Sequence, residues 1–381
     1  MPRCSVVGKA TCSSASTARV VRVHRLVGEV ASKDLTKGNL ASRQKALGDV
    51  VFARNAVLLQ TKHWESDRWE LQPLEALAWL WDEKKCLFLA DWLFKHVGMF
   101  SYRLADWNRS ERVMRRAIQI IEQSYPRNHP EVALALSNLA QLLKATDRFE
   151  EAEKLMRRAL EINEQSYMAN QLDIARDLTH LAVLLMNTGR ITDSEPLLKR
   201  AVSIFDSKRS SASVEYALAL NGLARFLQRS RRNEEAEPLF RRALALWEQT
   251  VGENSPEYAT SLMNLAVLLK DTKRPKEAET NMFRALKIDE DYYGPNHHSV
   301  ARDLNNIATF LEFTTRRSAE AEKFFRRSVE IHVNNYRDTG RARPEMKVII
   351  KNYRRYLFHT LNLNDEVVCA KLAIVPSEFL E

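Results

Sequence analysis

A short apolar word returns along this chain at a fixed interval. Ala140, Ala182, Ala224, Ala266 and Ala308 lie 42 residues apart, each preceded by Leu or, at the last, by Ile. Arg158-Ala159, Arg200-Ala201, Arg242-Ala243 and Arg284-Ala285 keep the same spacing, as do Arg148, Arg190, Arg232, Arg274 and Arg316. Composition alone does not place markers so regularly. A period of ~20–50 residues is the mark of stacked supersecondary units, each too small to bury its own apolar face.

Each unit reads as two helices. From Pro130 to Tyr167, the residues Val132, Leu136, Leu139, Ala140 and Leu143 recur at spacings of three and four, the period of one helix face. After Lys144-Ala145-Thr146-Asp147 a second stripe follows: Ala152, Leu155, Met156, Ala159, Leu160 and Ile162. Small residues fall where helices must approach most closely, and larger ones fill the gaps between them. The expected fold class is all-α: an α-solenoid of stacked antiparallel helix pairs with helical caps.

The recurring words are His129-Pro130-Glu131-Val132-Ala133, Asn138-Leu139-Ala140, Glu151-Ala152-Glu153 and Arg157-Arg158-Ala159-Leu160. They return as Ser255-Pro256-Glu257-Tyr258-Ala259, Asn264-Leu265-Ala266, Glu277-Ala278-Glu279 and Arg284-Ala285-Leu286. Together they resemble tetratricopeptide repeats of the 42-residue kind found in kinesin light chains and in bacterial repeat proteins. The resemblance spans roughly residues 88 to 368 and implies a right-handed superhelix. For function it says less, because this fold presents interaction surfaces in unrelated systems.

The organisation expected is a disordered basic leader over 1–39, an irregular helical cap over 40–87, the repeat array over 88–336, and a partial repeat with a cap helix over 337–381. The leader is rich in Arg and Ser with no acid before Glu29, which is also the composition of an organellar transit peptide. In the cap, Trp64, Trp69, Trp79, Trp81 and Trp92 crowd together, as residues covering a solenoid end would. Gly98 begins a degenerate repeat, 42 residues before Ala140. The fifth full repeat carries one residue inserted after Arg316, which shifts its acidic word to Glu320-Ala321-Glu322. In the last helix, about Asp365 to Ala373, Val367, Val368 and Leu372 are expected to pack.

Charge and chemistry exclude several classes. The formal charge is +9, yet residues 1–63 hold 11 Lys/Arg against 3 Asp/Glu, and the remaining 318 hold 47 against 46. A near-neutral array gives no reason to expect nucleic acid. Asp82-Glu83-Lys84-Lys85 and Asp91 interrupt the apolar runs, so no membrane span is expected. The four cysteines form no Cys-x-x-Cys pair and suit a reduced, cytoplasmic setting. There is no glycine-rich phosphate loop. His297-His298 lacks further ligands nearby, so neither metal nor cofactor is expected, and no enzyme activity.

What varies between units carries the functional expectation. The resemblance implies that first helices line a concave groove, with the Asn of Asn-Leu-Ala facing a ligand backbone. That position holds His96, Asn138, His180, Gly222, Asn264 and Asn306; one residue earlier come Lys95, Ser137, Thr179, Asn221 and Asn305. Gln141, Arg225 and Lys270 lie one turn on, Arg176 and Arg302 one turn back. This row is rich in amides, hydroxyls and bases and poor in acids. An ordinary solvated helix face is the plain alternative. The expected function is a non-catalytic scaffold holding a peptide or partner protein, with a bias toward carboxylates. The alternative is a sensor or regulatory piece related to larger bacterial repeat-containing signalling ATPases.

Overall fold

A computed structural model describes residues 71–83, 87–103, 106–166, 170–208, 213–315, 317–339, 344–376 and 379. The expected leader and the first part of the cap, with Trp64 and Trp69, lie outside the described residues. Every regular element among them is helical. The helices are α1 (Leu71–Glu83), α2 (Leu87–Arg103), α3 (Trp107–Ser124), α4 (Pro130–Ala145), α5 (Phe149–Gln165), α6 (Gln171–Asn187), α7 (Ile191–Ser207) and α8 (Val214–Arg229). They continue as α9 (Asn233–Thr250), α10 (Pro256–Asp271), α11 (Pro275–Tyr293), α12 (His298–Phe310), α13 (Ser318–Thr339), α14 (Pro344–Arg355) and α15 (Asp365–Lys371). The chain divides into two compact units, with the boundary within α4 between Leu142 and Leu143.

In the first unit, Leu71, Leu77 and Trp81 of α1 are buried with Phe94 and Val97 of α2 and Val113 and Ala117 of α3. Arg116 of α3 grips Asp82 with Nε and Nη2, at 2.6 and 2.8 Å. Gly98 stands where the other units place Ala, and here the reason is contact. A Cβ at Gly98 would lie 2.7 Å from Met114 Cγ, while Ser110 Oγ donates to the Gly98 carbonyl at 2.8 Å.

The second unit is the solenoid, built from the paired helices α6/α7, α8/α9, α10/α11 and α12/α13. Its recurring small residues are fully enclosed: Ala182, Ala224, Ala266 and Ala308 on first helices, Ala201, Ala243 and Ala285 on second ones. Where the Glu-Ala-Glu word gives way, Ser194 replaces the alanine, is equally buried, and donates to the Ile191 carbonyl at 2.6 Å. First helices start on a side chain that accepts a backbone N–H: Ser213 from Tyr216, Ser255 from Tyr258, and His297 from Ser299. The cap satisfies a donor that a helix start leaves open. It also gives His297 a structural task.

The fixed arginine is explained by the turn it follows. Asp147, Gly189, Arg231 and Lys273 all hold positive φ, from 60° to 84°. The N–H of the next residue then closes back on a leucine carbonyl: Arg148 on Leu143, Arg190 on Leu185, Arg232 on Leu227, Arg274 on Leu269. The guanidinium spans two helix pairs. Arg232 reaches Glu235 of its own helix at 2.7 Å and Glu195 of the preceding pair at 2.8 Å. Arg274 does the same with Glu277 and Glu237.

The fifth marker is Arg317, not Arg316. Arg317 Nη1 lies 2.5 Å from Glu279, it bridges Glu320 as well, and its N–H closes on Leu311. The extra residue thus precedes the marker, where a π-helical turn over Leu311–Thr315 takes it up. A second such turn, Tyr356–Thr360, ends α14. Val368 of α15 and Leu372 just beyond its end are buried as expected, but Val367 is 39% exposed, because it lies on the opposite side of the short helix.

Candidate functional site

The variable first-helix row divides on inspection into residues that hold the units together and residues that have no such task. In the first unit, Lys95 pairs with Glu131 at 2.9 Å. Ser137 is buried, Asn138 and Gln141 are half-buried, and the Gln141 Nε2 is enclosed without a hydrogen-bond partner. His96 is half-buried.

In the second unit Thr179, Asn221 and Asn305, each one residue before the Asn position, are interior. Thr179 is buried and donates to the Ala175 carbonyl at 2.8 Å. Asn221 is buried, donates to Ser261 Oγ at 2.9 Å, and accepts from Asn264 at 3.5 Å. Asn305 is buried and accepts from Asn352 at 3.1 Å. These amides join neighbouring first helices. Gly222 is the close-contact position of the row, since a Cβ there would sit 2.9 Å from Leu198 Cδ2. Asn306 is half-buried, and Lys270 lies 3.5 Å from Asp271.

The arginines differ sharply among themselves. Arg176 is held by Asp173 at 2.8 Å and Asp177 at 3.5 Å. Arg302 lies 3.4 Å from Asp303 and 3.7 Å from Asp289. Arg225 has no carboxylate within ion-pair distance among the described residues, and neither does Lys144 of α4, a residue the sequence row omits. Both are half-buried. Burial first, then the Arg225 charge, pulls the Lys144 ammonium down to about 8. Burial, then Arg229 and Arg302, lowers Arg225 as well. His180 is pulled down to about 3 by burial, then by Lys144 and Arg176, so it is neutral, and its enclosed Nδ1 meets no partner.

Helices α4, α6 and α8 therefore bring together two cations and a neutral imidazole that the protein itself leaves uncompensated. The missed signal was register. Lys144 lies 126 residues before Lys270, three full periods, and so shares its place in the repeat. Among the described residues, no cluster of His, Cys, Asp and Glu could hold a metal ion, and no helix is long and apolar enough to cross a membrane.

Tetratricopeptide repeat models match residues 89–165, 215–291 and 264–332, and a second such model matches 179–249. The chain belongs to the tetratricopeptide repeat proteins. No curated protein sequence matches it. Among solved structures, it is similar to the apo form of the quorum sensor NprR from B. thuringiensis, with 14% identity and a TM-score of 0.58 over 96% of this chain and 94% of that one. It is similar too to the Rap conjugation gene regulator of plasmid pLS20 in complex with the Phr* peptide, with 14% identity and a TM-score of 0.51 over 78% and 79%. BtubC (BKLC) from P. vanneervenii aligns over 64% of this chain and 94% of its own, at 22% identity and a TM-score of 0.48.

Proposed function

We propose that this protein is a non-catalytic scaffold that holds an acidic peptide segment against the first helices of its second unit, anchored at Lys144, His180 and Arg225. One observation carries the reading: two half-buried cations sit together without a carboxylate, an arrangement that disfavours their charged forms in the folded state. Perturbed groups of this kind cluster at functional sites. A ligand carboxylate would supply the missing countercharge through charge-assisted hydrogen bonds. The Rap regulator, whose structure holds the Phr* peptide, shares the fold, and this supports a peptide as the ligand form. His180, being neutral, is suited to contact peptide backbone rather than a charge.

The test is binding of an arrayed library of acidic and charge-neutral peptides. Hydrogen bonds to charged groups are worth roughly 1.5–3 kcal/mol each, so Lys144→Gln/Arg225→Gln should weaken acidic peptides at least about tenfold. The control, Arg157→Gln/Arg241→Gln, alters exposed arginines on second helices. Equal binding by both double variants would sink the assignment.

A further inference from the structure

Asp289 of α11 and Asp303 of α12 are each 1% exposed, and they lie close enough that each acts on the other. Asp289 Oδ1 and Asp303 Oδ2 are enclosed with no donor. Among the described residues, Arg302 of α12, Glu257 of α10 and Tyr293 of α11 are the charged and titratable groups that act on the pair. One guanidinium at 3.4 and 3.7 Å is a poor match for two buried carboxylates.

The same site exists three periods earlier with different chemistry. Asn163 of α5 and Asp177 of α6 stand 126 residues before Asp289 and Asp303, and both are 1% exposed. There Asn163 Nδ2 donates to Asp177 Oδ2 at 2.6 Å, and Arg176 Nε lies 3.5 Å from Asp177 Oδ1. At that site an amide N–H supplies the donor. Where Asp replaces Asn, a donor exists only if the carboxyl keeps its proton.

We propose that Asp289 and Asp303 share one retained proton up to neutral pH, so that the α11/α12 junction is a proton-dependent joint in the stack. The proton sits between the two carboxyls, donated by one and accepted by the other, and Arg302 balances the single remaining charge. Burial first, and then the Asp303 charge, pushes the Asp289 carboxyl up to about 7, which agrees with this arrangement. The sign follows. A carboxyl whose folded value is raised contributes stability that is fully present below its ordinary value and is lost as pH rises through about 7. Two like charges enclosed together then push α11 and α12 apart, and neighbour coupling spreads the loss along the unit.

Reciprocal substitution tests it without any ligand, so the outcome is independent of the peptide reading. The melting temperature of the full chain is followed from mildly acidic to mildly alkaline pH for the parent, Asp289→Asn and Asn163→Asp. Asp289→Asn should melt progressively higher relative to the parent as pH rises toward 7, with the difference levelling off above it. Asn163→Asp should acquire an additional fall over the same range. The parent should also show a protonated-carboxyl C=O band in the infrared at neutral pH, lost in Asp289→Asn. A constant offset for Asp289→Asn at every pH, no added pH dependence in Asn163→Asp, or no such band would overturn the shared proton.

Discussion

Arg225 and Arg232 stand seven residues apart, one inside α8 and one in the turn that follows it, and their surroundings are opposite. Arg232 is bracketed by Glu235 and Glu195, whose hydrogen bonds hold its guanidinium well above the ordinary arginine range. Arg225 has burial and two further arginines around it, and is held below that range. The turn arginine recurs as Arg148, Arg190, Arg232, Arg274 and Arg317 because its backbone closes the same contact at each. Arg225 does not recur, and among the described residues no carboxylate pairs with it. In a repeat protein, what repeats is architecture, and function is sought where a unit departs from its neighbours at a cost.

The largest effect should come from removing the framework both arginines share. Ala224 adjoins Arg225 and is fully buried, so Ala224→Trp should overpack the α8/α9 pair and destabilise by ~1–3 kcal/mol or more. A melt by circular dichroism that matches the parent would mean the recurring alanines do not set the helix approach. A middle-sized effect should come from the inner side alone. Lys144 carries a depressed value of about 8, so its charged form is disfavoured in the folded state. The penalty is present in full below that pH and fades as pH climbs toward the ordinary lysine value. Lys144→Met should therefore stabilise by about 1–3 kcal/mol at neutral pH, with the gain shrinking in alkaline buffer. A gain that ignores pH would point to better packing instead. The smallest effect should come from the turn: Arg232→Ala removes two largely solvated ion pairs, with Glu235 and Glu195, and its melt should move little and not at all at high salt.

Much of this was legible in the sequence because helix pairs announce themselves by spacing. The enclosed alanines of the first helices return at 42 residues, as do the turn arginines up to Arg274, and periodicity is visible without coordinates. The groove row was harder to read. Asn221 and Asn305 look like ligand contacts by residue type, yet they are buried and bond to Ser261 and Asn352. Position in a period gives the side of a helix, but side-chain length and tilt decide whether it ends in solvent or in the next unit. Lys144 and Asp289 were overlooked for a related reason. Each is unremarkable as a residue type and unusual only beside what surrounds it, a property of three dimensions.

The π-helical turn at Leu311–Thr315 bears on how such an array can change. In a continuous helix one added residue rotates everything behind it by about 100°, which would aim the next pair's apolar stripe at solvent. Here the surplus is spent within a single wide turn, and α13 starts in phase, with Arg317 reaching Glu279 as its counterparts reach theirs. Phe313, displaced outward, is 59% exposed under the Arg355 guanidinium at 4.5 Å. A single-codon insertion in such a chain is therefore not a frameshift for the architecture. It is written locally as a bump, and the units downstream are read unchanged.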